Sequence, residues 1–226
     1  MSRTPNYNVT GAWLEGDDPG ERQFIKIGFL LLENGETLPD ITIAYQSWGT
    51  LNKDKSNAIL INHAMTGWSD VTGWWPQMVG PGLPFDTDKY FIVCPNVIGG
   101  CQGSTGPASI APDGKRYGSR FPIITIRDMV NAEVAFSDAL GIEKYALAVG
   151  PSLGGCARWN GRCSYLIASA PSALLAHLPL PQEIRLALLQ FKFAPLNPTL
   201  IFTAVITTKK SADQSKEWAS LVASLT

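Results

Sequence analysis

The apolar positions of this chain fall into short runs separated by turn residues, which is the pattern of β-strands. The first two runs, Phe24–Phe29 and Ile41–Tyr45, are rich in β-branched and aromatic residues. Asn34 and Gly35 lie between them and form a common turn signal. This pattern predicts an antiparallel pair of strands at the start of the fold.

Three later runs are continuously apolar, as expected of strands buried on both faces of a parallel sheet. They are Ala58–Ile61, Tyr90–Cys94 and Tyr145–Val149. A further candidate is Ser164–Ala168.

One helix is predicted between the second and third of these parallel strands. Thr125 is a good N-cap and Asp128 follows three residues later, which together form a capping box. Apolar residues then recur at helical spacing from Ile126 to Leu140, and Gly141 ends the segment. Strand, helix and strand in this order indicate a right-handed βαβ unit, so the predicted fold class is α/β.

Composition describes a globular protein and excludes several partners. The chain of 226 residues is 45% hydrophobic and 16% charged, with a net charge of −1. Because acidic and basic residues are interspersed, no basic surface for nucleic acid or anionic membranes is expected. The polar N-terminus lacks a signal core, and the apolar stretch Leu200–Ile206 is too short to span a membrane. We therefore expect a cytoplasmic protein.

The four cysteines do not indicate a metal site or disulfides. Cys94 and Cys101 are seven positions apart, as are Cys156 and Cys163. A structural zinc site uses tighter spacing, and disulfides are rare in the cytoplasm. Free thiols, with no metal bound, are the prediction.

The strongest chemical signal follows the run 145–149. Gly150–Gly154 has the form Gly-x-Ser-x-Gly of a nucleophile elbow, with Ser152 as nucleophile. Gly150 and Gly154 allow a sharp turn, and the Leu153 backbone N–H is placed to bind an oxyanion. The alternative is a glycine-rich turn with a solvent-exposed serine.

Two further loops follow predicted strands. In Asn62–Gly67, the Met65 backbone N–H is the candidate second oxyanion donor, and His63 is interpreted as a structural residue of the loop. The glycine-rich segment Asn96–Pro107 lacks the Gly-Lys-Ser/Thr ending of a phosphate-binding loop. We interpret it as a shaped loop beside the active site.

Many segments between residues 20 and 155 resemble the homoserine O-acetyltransferase family. Besides the elbow, they are Ala44–Asn52, His63–Gly67, Gly73–Trp75, Val79–Gly82, Asp86–Phe91, Cys94–Pro107, Phe121–Pro122 and Thr125–Val130. The resemblance implies an α/β-hydrolase fold, with a mostly parallel sheet and helices on both faces. It also implies an acyltransferase of methionine biosynthesis, which moves an acyl group from acyl-CoA through Ser152 to L-homoserine. Acyl-CoA is a substrate, no cofactor is expected, and a homodimer is usual for the family.

The sequence departs from the family after the elbow. Family members carry the triad aspartate and then the histidine far downstream of the serine. Here His177 is only 25 positions after Ser152, and Asp213 follows it in the wrong order, so no triad aspartate or histidine is assigned. We expect one domain over residues 1–226 with an unrecognised tail at 173–226 and a sheet incomplete at its C-terminal side.

A deletion in the elbow helix followed by a change of reading frame explains this pattern, and the three reading frames of the coding DNA test that hypothesis. Three interpretations stay open. The chain is a homoserine acyltransferase, a catalytically dead fragment or pseudoenzyme, or a serine esterase that uses water as acceptor. The family favours acetyl-CoA over succinyl-CoA as donor.

Overall fold

The computed structural model describes residues 12–150 and the backbone of the strand Leu166–Ala168. The strands are β1 (Gln23–Leu31), β2 (Thr37–Trp48), β3 (Ala58–Ile61), β4 (Val79–Gly80), β5 (Phe85–Asp86), β6 (Phe91–Pro95), β7 (Leu147–Gly150) and β8 (Leu166–Ala168). The helices are α1 (Val71–Trp74) and α2 (Ile126–Ala139), with one 3₁₀ turn at Gly118–Arg120.

Six of these strands form one sheet in the order β1-β2-β6-β3-β7-β8. The predicted antiparallel pair is confirmed, with β1 and β2 joined through a turn in which Gly35 has φ +85°. β2 continues to Trp48, beyond the predicted end, because its last residues pair with β6. The neighbouring strand, and not the apolar pattern, fixes this end.

The predicted parallel strands form the centre of the sheet. β3 lies between β6 and β7 and is parallel to both, and β8 is parallel to β7. Their residues alternate between two apolar clusters, so that Leu60 faces the α2 side while Ile59 and Ile61 face the opposite side. Full burial stabilises each such side chain by roughly 1.5–3 kcal/mol. The described strands therefore form a mixed, mainly parallel sheet, as the predicted α/β class requires.

Helix α2 begins as predicted. The Thr125 side chain accepts a hydrogen bond from the Asp128 backbone, and the Asp128 side chain accepts one from the Thr125 backbone. Gly141, with φ +68°, follows the last turn. Val130 and Phe136 on its inner face pack into the α2-side cluster of the sheet.

The small elements between β3 and β6 were not predicted. The single-turn helix α1 is capped by Asp70, whose side chain accepts from the Gly73 backbone. β4 and β5 pair in parallel over two residues each. Elements of two to four residues are too short to show a helical or strand periodicity of apolar residues in the sequence. Among residues 12–150, no helix has the length and apolar character that crossing a bilayer requires.

Candidate active site

The candidate site lies where β3, β6 and β7 end. Because these strands are parallel, their carboxyl ends share one edge of the sheet. The Asn62 backbone N–H donates to the Val149 carbonyl over 2.9 Å. The loop that follows β3 is thus joined to the residue just before Gly150, where the elbow motif begins.

The loop after β3 presents Met65 to solvent. Its turn is closed by a hydrogen bond of 2.8 Å from the Gly67 N–H to the Ala64 carbonyl, and the Met65 side chain is 76% exposed. No residue within 12–150 accepts a hydrogen bond from the Met65 N–H. A backbone donor without a partner at this edge is chemically suited to bind a developing oxyanion.

His63 is buried beneath this loop. Its Nε2 accepts a hydrogen bond of 3.3 Å from the Val97 N–H, and its Nδ1 lies 2.7 Å from the Ala64 carbonyl. From these partners we assign the neutral tautomer with the proton on Nδ1. Burial lowers the pKa of His63, against a smaller opposite effect of the Ala64 carbonyl. With both ring nitrogens engaged, His63 supports the loop, in agreement with the structural role predicted for it.

A buried polar network joins this loop to the glycine-rich loop after β6. Asn96 accepts from the Ser69 N–H at 2.7 Å and donates to the Gln102 carbonyl at 2.7 Å. The Ser104 hydroxyl donates to the Asn96 carbonyl at 2.6 Å. Ser69 also donates through its hydroxyl to Gln46 of β2 at 2.9 Å. The two loops therefore form one hydrogen-bonded unit.

The glycine-rich loop is folded closely on itself. A Cβ on Gly106 would lie 2.4 Å from the Gly100 carbonyl oxygen, so no larger residue fits there. The Gly99 N–H donates to the Thr105 carbonyl, and the Thr105 N–H donates to the Thr42 carbonyl on β2. These backbone hydrogen bonds hold the loop in one shape and attach it to β2.

A buried acid on α2 was not singled out from the sequence. Glu133 is 6% exposed, and Asn62 Nδ2 donates to its Oε2 over 3.3 Å. Burial raises the pKa of Glu133 to about 8, and the hydrogen bond from Asn62 opposes this shift. The available signal was a charged residue three positions after Val130 and three before Phe136, on the apolar face of a helix.

The predicted site residues fall into two groups. Gly150 is the last residue of β7, and Met65 lies on the loop tied to that strand. Ser152, Leu153 and Gly154 lie outside the described residues. So do His177 and Asp213, which were not assigned to the triad.

Comparisons with known proteins agree with this arrangement. A family model described as the α/β hydrolase fold matches residues 57–159. Homoserine O-acetyltransferase of Thermobifida fusca is 53% identical over 163 residues, which cover 67% of this chain and 43% of the relative. The chain thus spans less than half the length of this curated relative.

Two solved structures are similar in sequence and fold. The homoserine O-acetyltransferase of Bacillus anthracis has a TM-score of 0.60 and 29% identity, covering 65% of this chain and 45% of that one. Esterase E22 has a TM-score of 0.61 and 30% identity, with coverages of 70% and 51%. The chain therefore has the α/β-hydrolase fold and is homologous, over about two thirds of its length, to the homoserine O-acetyltransferases.

Proposed function

We propose that this protein acts in the transfer of an acetyl group from acetyl-CoA to the hydroxyl of L-homoserine. The observation that carries the proposal is the Met65 N–H, which has no acceptor among residues 12–150 and lies on a loop hydrogen-bonded to the strand that leads into the elbow motif. The identity with homoserine O-acetyltransferases supports the choice of donor and acceptor. The reaction belongs to methionine biosynthesis in the cytoplasm and needs no cofactor, because acetyl-CoA is itself a substrate.

The chemistry proceeds in two transfers through one serine. Ser152 Oγ attacks the thioester carbonyl, the C–S bond breaks, and CoA leaves as the thiol with the proton that Ser152 gave up. The homoserine hydroxyl then attacks the acetyl-serine, which forms the ester and regenerates Ser152. The N–H groups of Met65 and Leu153 bind the oxyanion in both steps, and one such donor contributes about 3–4 kcal/mol to the transition state.

The general base is not assigned within these 226 residues. A histidine that takes the serine proton must itself be held by an acid. His63 has both nitrogens engaged beneath the loop, and His177 precedes Asp213 in an order that the family does not use. We therefore expect these 226 residues by themselves to turn over poorly, as a catalytically inactive fragment would.

Ester hydrolysis is the second candidate. Esterase E22 is as similar in fold as the acetyltransferase from Bacillus anthracis. The same acetyl-serine serves both reactions, and they differ only in whether water or an amino-acid hydroxyl attacks it. The acceptor therefore has to be tested directly.

A burst assay with mass analysis tests the proposal. The full 226-residue chain and its S152A variant are mixed with acetyl-CoA, and free CoA and the mass of the Ser152 peptide are followed with and without L-homoserine. A gain of one acetyl group on Ser152, absent from S152A, with CoA release beyond one equivalent only when homoserine is present supports the transferase. Release beyond one equivalent without homoserine supports the esterase. No acetylation of a folded sample contradicts activity of these residues alone.

A further inference from the structure

We infer that Glu133 is a positioning residue, an uncharged carboxylic acid that acts through the side chain of Asn62. It holds the start of the Met65 loop, which is residues 62–67 after β3. The role in catalysis rests on the proposed function, whereas the acid–amide contact itself does not.

Asn62 is the point where three elements meet. It directly follows β3, and its backbone N–H donates to Val149 on β7. Alternation along β3 directs its side chain to the same side as Leu60, the side covered by α2. There Nδ2 donates to Glu133 Oε2 over 3.3 Å. A contact between Asn62 and Glu133 therefore fixes the chain three residues before Met65.

The side chain of Asn62 has an acceptor that this contact leaves unused. Its Oδ1 is buried, and among the described residues no donor reaches it. A carboxylate has only acceptors, but a carboxylic acid adds one O–H donor. An acid and an amide pair by two hydrogen bonds, from the amide N–H to the acid carbonyl and from the acid O–H to the amide oxygen. A protonated Glu133 thus supplies the donor that Asn62 lacks.

No cation faces Glu133 from the described elements packed against it. β3 and β7 contribute no titratable side chain there. Burial raises the pKa of the Cys94 thiol on β6, so this group carries no positive charge, and His63 is neutral in its assigned tautomer. One turn further along α2, the Ser137 hydroxyl donates to the backbone carbonyl of Glu133 and forms a second hydrogen bond with the Tyr145 hydroxyl. Within the part of the chain that the structure describes, a charged Glu133 would therefore be buried without a counterion.

The proton on Glu133 makes stability depend on pH in a defined direction. Burial raises the pKa of this carboxyl from 4.5 to about 8, so the folded state keeps a proton that the unfolded state releases. The stabilisation is complete below pH 4.5, decreases as the pH rises, and is lost as the pH passes about 8. Glu133→Gln cannot ionise and keeps an N–H donor for Asn62, so this variant should lack the effect.

Urea unfolding of the full chain between pH 5 and 9 tests the contact. We expect the folding equilibrium constant of wild type to fall relative to that of E133Q by roughly tenfold or more across this range. The exposed Glu143→Gln is the matched control and should follow wild type. Glu133→Met, which has no donor, should be less stable than E133Q at every pH. Parallel profiles for wild type and E133Q, or an E133Q protein less stable than E133M, would overturn the inference.

Hydrogen exchange tests the positioning role without requiring activity. The amides of residues 62–67 are compared between wild type and E133Q at the same pH, so that intrinsic exchange rates cancel. We expect equal protection at pH 6 and several-fold faster exchange in wild type at pH 9. Equal exchange at both values would show that Glu133 does not hold the loop. Failure of Ser152 to acetylate leaves this result unaffected, so the two proposals fail separately.

Discussion

At the scale of single residues, the glycine among residues 12–150 most closely surrounded by backbone atoms is Gly49, between β2 and β3. Gly49 has φ +77°, and a Cβ there would lie 2.1 Å from the Tyr90 carbonyl oxygen and 2.7 Å from that of Thr87. Backbone atoms cannot move aside as a side chain does. Gly114 has the same φ of +77°, but a Cβ there would meet nothing within 4 Å.

Comparing Gly49 with Gly114 separates the effect of steric crowding on stability from the effect of the positive φ. We expect Gly49→Ala to lower the free energy of unfolding by about 3–5 kcal/mol, because crowding adds to an unfavourable φ. Gly114→Ala meets only the unfavourable φ and should cost about 1–2 kcal/mol. Urea unfolding of both variants measures the difference. Equal losses would mean that the segment around Tyr90 moves to admit a methyl group.

The chemistry of single residues was predictable where a short motif sets it. The capping pair Thr125 and Asp128 and the loop role of His63 depend on neighbours in sequence or on position after a strand. The partners of Glu133 and Gly49 lie 71 and 41 positions away, respectively. Only the folded chain brings such partners together, and no local pattern encodes them.

At the scale of elements, Asp128 connects the helix α2 to the hairpin of β1 and β2. Its Oδ2 accepts from the Thr125 N–H and its Oδ1 accepts from the Glu33 N–H, each over 3.0 Å. Arg127 also pairs with Glu33 at 2.9 Å, but on an exposed surface such a pair contributes little. The buried carboxylate therefore holds the two elements together.

Removing this carboxylate should cost more than removing the cap alone. Asp128→Ala leaves two backbone N–H groups without acceptors, and we expect a loss of about 2–3 kcal/mol in the free energy of unfolding. Thr125→Ala should cost about 1 kcal/mol. The control Asp54→Ala, at an exposed turn position, should stay within about 0.5 kcal/mol. Equal effects of D128A and T125A would show that the contact with Glu33 contributes nothing.

Elements were predictable when their own residues repeat a pattern long enough to detect. Both ends of β3 were predicted to the residue, because four consecutive apolar residues between polar turns leave few alternative positions for a strand. β4, β5 and α1 span two to four residues each. Their conformation follows from packing of Trp75, Met78 and Phe85 in the cluster on the face of the sheet opposite α2, which the sequence does not specify locally.

At the scale of the whole molecule, two cysteines can report whether the strands of the sheet are packed in the folded state. Cys94 is fully buried on β6, whereas Cys101 is exposed on the glycine-rich loop. Burial raises the pKa of Cys94 well above its ordinary value, so its reactive thiolate is scarce in the folded state.

Alkylation with peptide-level mass analysis uses this contrast. In native buffer we expect Cys101 to react at least about 100-fold faster than Cys94, and the two rates to converge in concentrated urea. Rapid labelling of Cys94 without denaturant would mean that the central strands of this chain are not packed in solution.

The position of β3 in the sheet has a consequence for synthesis on the ribosome. β3 pairs with β6 and β7, both of which come later in the chain, and Pro95 at the end of β6 follows Ile61 by 34 residues. At about 5–20 residues per second, roughly 2–7 s separate the emergence of β3 from the ribosome and that of β6, its first partner strand. During that interval the nascent chain carries an apolar segment with no edge to join. Molecular chaperones that bind such segments are therefore expected to engage this protein while it is still being made.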